Sequence, residues 1–204
     1  TAASSVLDPP TKSRPQDPES LAGEDYEPYA AALETWDRWT CTYGPTQLVD
    51  GDESTAWSEG IDGPGIGEVV VVPLPGPSVE IRAGYGKSPD LYRANARPKK
   101  VEVVLLGAGW APPTQGASQA ELPVLGRHEI QLHDTDGFQP LPLPHWEPPE
   151  SWTPSIPAEW NPGEPDGFPI PAQQPAYLAL RIISAWPGER WEDLCISEIR
   201  KKQP

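Results

Sequence analysis

An antiparallel all-β fold, a β-sandwich or jelly roll, is the architecture this sequence predicts. Six β-branched runs carry that expectation, at residues 68–72, 79–83, 100–106, 129–132, 177–185 and 194–199. Several alternate apolar with polar residues, and Gly, Pro, Asn or Asp bound most of them, which is the pattern of half-buried strands joined by turns. No long amphipathic helix falls among them, so sheet must pack on sheet. At 204 residues the chain has room for one good core.

Residues 1–34 come first, with Asp8-Pro9-Pro10, Arg14-Pro15, Asp17-Pro18 and Glu27-Pro28 and almost no aliphatic content. That composition predicts a disordered, Pro-rich tether, with the domain itself spanning residues 35–202. A short helix is expected within residues 30–39, placing Trp36 and Trp39 on one face as a cap over the core. A turn crowded with oxygen donors follows at residues 50–55, and then the strands. The chain holds 29 prolines, roughly three times the usual share of about 5%, and a second concentration of them lies at about residues 140–175. Prolines this dense exclude a central strand or helix interior. A long Pro/Trp-rich loop insertion is therefore expected, with Trp146, Trp152 and Trp160 either packed back onto the sandwich or offered to a partner.

The formal charge of -15, from 15 Lys and Arg against 30 Asp and Glu, repels phosphate backbones and anionic lipid. Nucleic acid is excluded as a partner on that ground. No apolar run approaches the roughly 20 residues of a membrane span, and no signal peptide precedes Thr1, as expected of a mature or trimmed exported chain. Cys41 and Cys195, the only two cysteines, would sit on the first and last strands. An end-to-end disulfide and two unrelated thiols are the alternatives.

Patterns for catalysis are weak. Gly-x-Ser-x-Gly, His-Glu-x-x-His, phosphate-loop and Cys-x-x-Cys motifs are all missing from the sequence. His128 and His133 are five apart, so on a strand they face opposite ways and cannot share a metal. The expectation is that the chain is not an enzyme.

Five blocks, in order, carry a resemblance. They are residues 50–60 (Asp-Gly-Asp-Glu-Ser-Thr-Ala-Trp-Ser-Glu-Gly), 63–68, 84–88 (Gly-Tyr-Gly-Lys-Ser), 95–100 (Asn-Ala-Arg-Pro-Lys-Lys), and Pro187-Gly188 with residues 192–199. Together they resemble the NADase-type glycan-binding domain, a discoidin-like (galactose-binding-like) jelly roll of bacterial exported proteins. The likeness covers about residues 40–107 and 127–200. The tether and the Pro/Trp loop depart from it.

The resemblance implies an eight-stranded jelly roll that binds ligand with loops at one end. It implies a structural calcium held by Asp50, Asp52 and Thr55 and completed by Glu198, since calcium takes six to eight oxygen ligands. The competing reading is a tight turn whose Asp side chains accept backbone N–H bonds. Trp57 is expected in the core. A sugar site needs an aromatic face and planar polar groups, which Tyr85, Lys87, Asn95 and Arg97 would supply, with Trp186 or Trp191 as a platform. Arg97 could instead be structural, paired with Asp193 or Glu59. The function these features imply is a non-catalytic carbohydrate-binding module of an exported protein, in the periplasm, at the outer surface or secreted. The alternative is a protein–protein module of a cell-envelope assembly, using residues 143–172 as its contact surface.

Overall fold

A computed structural model describes residues 1–21, 23, 26–107, 122–146 and 175–203. Nine strands run through them: β1 (Ala2–Ala3), β2 (Trp57–Ser58), β3 (Val69–Pro73), β4 (Val79–Ala83), β5 (Arg97–Gly107), β6 (Val124–Gln131), β7 (Gln139–Leu141), β8 (Pro175–Trp186) and β9 (Cys195–Lys201). Two helices, α1 (Tyr26–Thr40) and α2 (Pro89–Ala94), accompany them. One sheet has the order β1-β3-β8-β5-β6 and the other β2-β9-β4-β7. Every pairing between strands is antiparallel, as the sequence predicts.

The two-residue period of the strands builds the core. Val79, Ile81 and Ala83 of β4 point inward and are buried, while Glu80 and Arg82 between them face out. Val70, Val72, Val103 and Leu180 of the first sheet meet Ile81, Leu141 and Ile199 of the second, and Trp57 lies wholly buried among them. Chain direction then sorts the connections. Residues 59–68, 84–96, 132–138 and 187–194 all lie at one end of the sandwich. Residues 74–78 and 142–146 lie at the other end. The Pro/Trp stretch opens at that second end, and its residues 147–174 lie outside the described residues.

Three expectations are corrected. The proposed tether does not begin as one: β1 pairs with β3, and Ala3 and Val6 pack against the core. Small and β-branched residues in the Thr1–Leu7 stretch suit a sheet edge, a signal that the following prolines obscure. Trp36 and Trp39 lie on a helix that buries none of its residues in the core. Their rings meet each other at 5.4 Å, Arg14 sits over Trp36 at 4.9 Å, and the Trp39 indole donates to Ser13 Oγ at 3.1 Å. They hold the N-terminal segment to α1 and do not cap the sandwich.

The third correction concerns the disulfide: both cysteines are free. Cys41 sits exposed just beyond α1, where its N–H bonds Asp37, whereas Cys195 is buried at the start of β9 beside Ser58 Oγ at 3.5 Å. Burial pushes the Cys195 thiol up to about 12, so it is held protonated and unreactive. A thiol reagent at pH 8 is therefore expected to label Cys41 alone in the native chain and both cysteines in denaturant. Labelling of neither in the native chain, with recovery on reduction, would restore the disulfide.

Candidate functional site at one end of the sandwich

All six residues singled out for sugar binding fall at the same end of the sandwich, but they divide by burial. α2 organises that end. Ser88 caps it, its hydroxyl accepting the Leu91 N–H at 3.2 Å, and Pro89 takes the first turn. The turn between β8 and β9 seats on the helix's other end. The N–H groups of Glu189, Arg190 and Trp191 donate to the carbonyls of Arg93 and Ala94 at 2.9 to 3.1 Å, satisfying acceptors that a helix C-terminus leaves unpaired. Gly188 makes the approach possible, since a Cβ there would lie 2.2 Å from the Trp191 carbonyl and 2.5 Å from that of Ala94. Trp191 is consequently presented from a fixed backbone with 44% of its surface exposed.

Lys87 is also exposed, at the opposite end of α2. The helix's six residues span about 9 Å. Tyr85 is half-buried in a loop fixed by the bonds Gly84 N–H to the Cys195 carbonyl and Gly86 N–H to Ser197 Oγ. Burial first, then the neighbouring Tyr43 and Cys195, raises the pKa of its phenol. Trp186 is half-buried with Lys99 Nζ over its ring at 4.2 Å, so that face is already taken.

Asn95 and Arg97 are structural. Asn95 is buried, and its amide donates to the Leu91 carbonyl at 2.8 Å. Arg97 is 7% exposed and grips Asp134 with two bonds, at 2.8 and 3.0 Å. Its third nitrogen donates to the carbonyls of Tyr92 and Asn95, and its guanidinium lies 4.9 Å over the Tyr92 ring. The Tyr92 hydroxyl donates to Asp134 as well, at 2.8 Å. Burial opposes the Arg97 charge, but the hydrogen-bonded Asp134 outweighs it and the guanidinium pKa rises. Hydrogen bonds from Arg97 hold Asp134 below the usual carboxylate range. The predicted partners, Asp193 and Glu59, are replaced by Asp134.

The turn at residues 50–55 closes on itself. Asp50 accepts the Asp52 N–H and the Thr55 hydroxyl, both at 2.8 Å, and Asp52 accepts the Ser54 N–H at 2.8 Å. Ser54, and to a lesser degree Lys87, lower the pKa of Asp52. Glu198, 2% exposed, accepts the Gly51 N–H at 3.1 Å. Burial pushes its carboxyl up to about 7; Gly51 and Arg200 work against this, and Asp50 and Glu53 add to it. Among the described residues no three His, Cys, Asp or Glu side chains gather as a metal shell. Each Asp50 oxygen accepts one bond from the turn itself, which is the arrangement of a hydrogen-bonded Asx turn.

Two further carboxylates hold this end together in ways the sequence did not indicate. Glu59 is fully buried and accepts the N–H groups of Ile61 and Leu194 at 2.8 and 3.2 Å, tying the end of β2 to β9. Burial raises its pKa, against those two bonds. Asp134 is the other. Its place in the run His133-Asp134-Thr135-Asp136-Gly137 marks a turn, but nothing local marks Arg97 as its partner. Along the outer face of the second sheet, Arg82 joins Glu53 and Asp136, and Arg200 joins Glu53 and Glu80, which fastens the residue 50–55 turn to the strands.

Comparison with known proteins adds a family. Residues 26–112 match the model of the NAD glycohydrolase translocation F5/8 type C domain. No curated protein matches the chain. A solved structure, truncated AlyQ with CBM32 and alginate lyase domains, aligns with 13% identity and a TM-score of 0.38, over 76% of this chain and 28% of that one. The chain thus spans about a quarter of that structure's length, and the likeness is too distant to bear on the site.

Proposed function

We propose, from the match of residues 26–112 to the model of the NAD glycohydrolase translocation F5/8 type C domain, that the chain is a non-catalytic carbohydrate-binding module of an exported protein. Its binding surface is the α2 end of the sandwich. The observation that carries the reading is Trp191, a large apolar ring held exposed by backbone bonds to a helix end. Such a ring offers a stacking face at little conformational cost, and an exposed ammonium at Lys87 supplies a hydroxyl-directed donor across the same helix. Tyr85, half-buried in the loop before α2, is the third member of this surface. Asn95, Arg97 and Trp186 keep the surface in shape without touching ligand.

The non-catalytic reading draws on the acids at hand. Glu59 and Glu198 are both committed to backbone N–H groups, and the Cys195 thiol is sealed. This reading does not depend on calcium, because hydrogen bonds within the residue 50–55 turn already hold its shape. The net charge of -15 keeps such a module off anionic surfaces and soluble outside the cell. No helix among the described residues is long and apolar enough to cross a membrane.

Binding of the best ligand from a glycan array to Trp191→Ala and Lys87→Ala variants tests the surface. Loss of an aromatic stacking face is expected to weaken binding about tenfold or more, and Lys87→Ala by several-fold, with melting temperatures unchanged. Unaltered affinity in both variants would remove the α2 end as the site. The Pro/Trp-rich stretch at residues 143–172 opens at the opposite end, so its deletion should leave sugar binding intact.

A further inference from the structure

The chain's first residues do more than cover an edge. β1 adds to β3 in the register Ala2 to Val71 and Ala3 to Val70, and Ser4 N–H continues the ladder to the Val69 carbonyl at 2.9 Å. The segment then crosses to the other sheet, where Leu7 N–H donates to the Ser58 carbonyl of β2 at 2.9 Å. It therefore staples together the two sheets along the side where β3 and β2 would otherwise present open edges.

Backbone pairing of this kind accepts almost any sequence, and specificity comes from the side chains it places. Here the side chains are read closely. Ser4 Oγ donates to Glu68 Oε2 at 2.6 Å and accepts the Val69 N–H at 2.8 Å. Ser5 Oγ donates to the same Glu68 oxygen and accepts the Gly60 N–H at 2.9 Å. The Ser5 carbonyl takes the indole N–H of Trp57, a core residue, at 3.0 Å. Gly60 lets the segment in, since a Cβ there would stand 2.3 Å from the Val6 carbonyl. Two successive hydroxyls on one carboxylate, a glycine gap and a buried indole donor make up a slot shaped for a Ser-Ser-Val strand.

We infer that this slot is a sequence-reading groove, and that residues 1–7 are an exchangeable occupant which the same segment of a second copy can replace. Only Ala3 and Val6 of the segment pack on the core, and both are only partly buried. β1 is a two-residue strand at a sheet edge, and such edges open locally before the rest of a fold. The covalent attachment gives the chain's own segment a high effective concentration, so a segment in trans enters readily only when the resident one is expelled. The inference stands independently of the sugar reading.

The test uses the full chain carrying Ser4→Asp and Ser5→Asp, which sets two carboxylates against Glu68 and repels the resident segment. The probe is a fluorescent peptide of residues 1–8. Saturable binding to this variant, at least tenfold tighter than to the unaltered chain, is expected. A peptide with alanine at both serine positions should bind at least tenfold more weakly than the native peptide, since each hydrogen bond to a charged group is lost. No binding, or equal binding of the two peptides, overturns the inference. Should the doubly substituted chain fail to fold, Glu68→Lys in the full chain inverts the charge. That variant should bind the peptide carrying Asp at both positions in preference to the native one, and a failure to do so overturns the inference equally.

Discussion

Replacing Arg97 by alanine is expected to destabilise the sandwich by about 3 kcal/mol, the low end of the range for breaking a buried pair, because Asp134 is partly exposed. For a chain of this size that is a fall in melting temperature of roughly 6 to 12 °C. The cost has three sources. Asp134 loses its two-pronged partner, the carbonyls of Tyr92 and Asn95 lose a donor, and Tyr92 loses the cation over its ring. Arg97→Lys should recover little of it, since an ammonium cannot span both Asp134 oxygens and the carbonyls together. Thermal melts of the two variants check this. A stable Arg97→Ala protein that had lost only sugar affinity would instead make Arg97 a ligand contact.

Glu198→Gln carries the second large effect, and its direction is unusual for an acid. Burial raises the folded-state carboxyl from its ordinary 4.5 to about 7, so the folded state holds a proton that the unfolded state has released over the interval between them. Stability is then greatest below pH 4.5 and declines as pH rises towards 7, by about 3 kcal/mol in all from this group. Glutamine keeps an oxygen for the Gly51 N–H and never ionises. Glu198→Gln should therefore be more stable than the unaltered chain at pH 8 and nearly equal to it at pH 4, a divergence that melts at the two pH values will show. A calcium site would give the opposite result at pH 8, because the glutamine would remove a ligand and the unaltered chain's melt would fall on chelation.

The fold was legible because its long strands advertise themselves. β3, β4 and β5 are β-branched runs whose alternation survives in their burial, and β9 is buried through its first five residues. β1, β2 and β7 have only two or three residues each, too few for any period to register, and their pairing is decided by neighbours distant in sequence. α2 escaped notice because six residues cannot show a helical repeat; its signal was the Ser88-Pro89 cap. For the site, the resemblance implied loops at one end; Tyr85, Lys87 and Trp191 lie on loops there, and Trp186 closes β8 beside them. Burial within that end is a three-dimensional property, and it separates Trp191 from Trp186 and removes Asn95 and Arg97 from the surface. The two cysteines illustrate the same limit. Cys41 lies at the end of a helix outside the core and Cys195 on a buried strand, a separation that their sequence positions do not reveal.

One experiment bears most directly on the proposal that the α2 end binds carbohydrate: a glycan-array screen of the full chain beside its Trp191→Ala variant. Selective binding to one class of sugar, lost in the variant while its melting temperature holds, is the predicted result. A blank array from a folded chain, or binding that survives the loss of Trp191 undiminished, would contradict it.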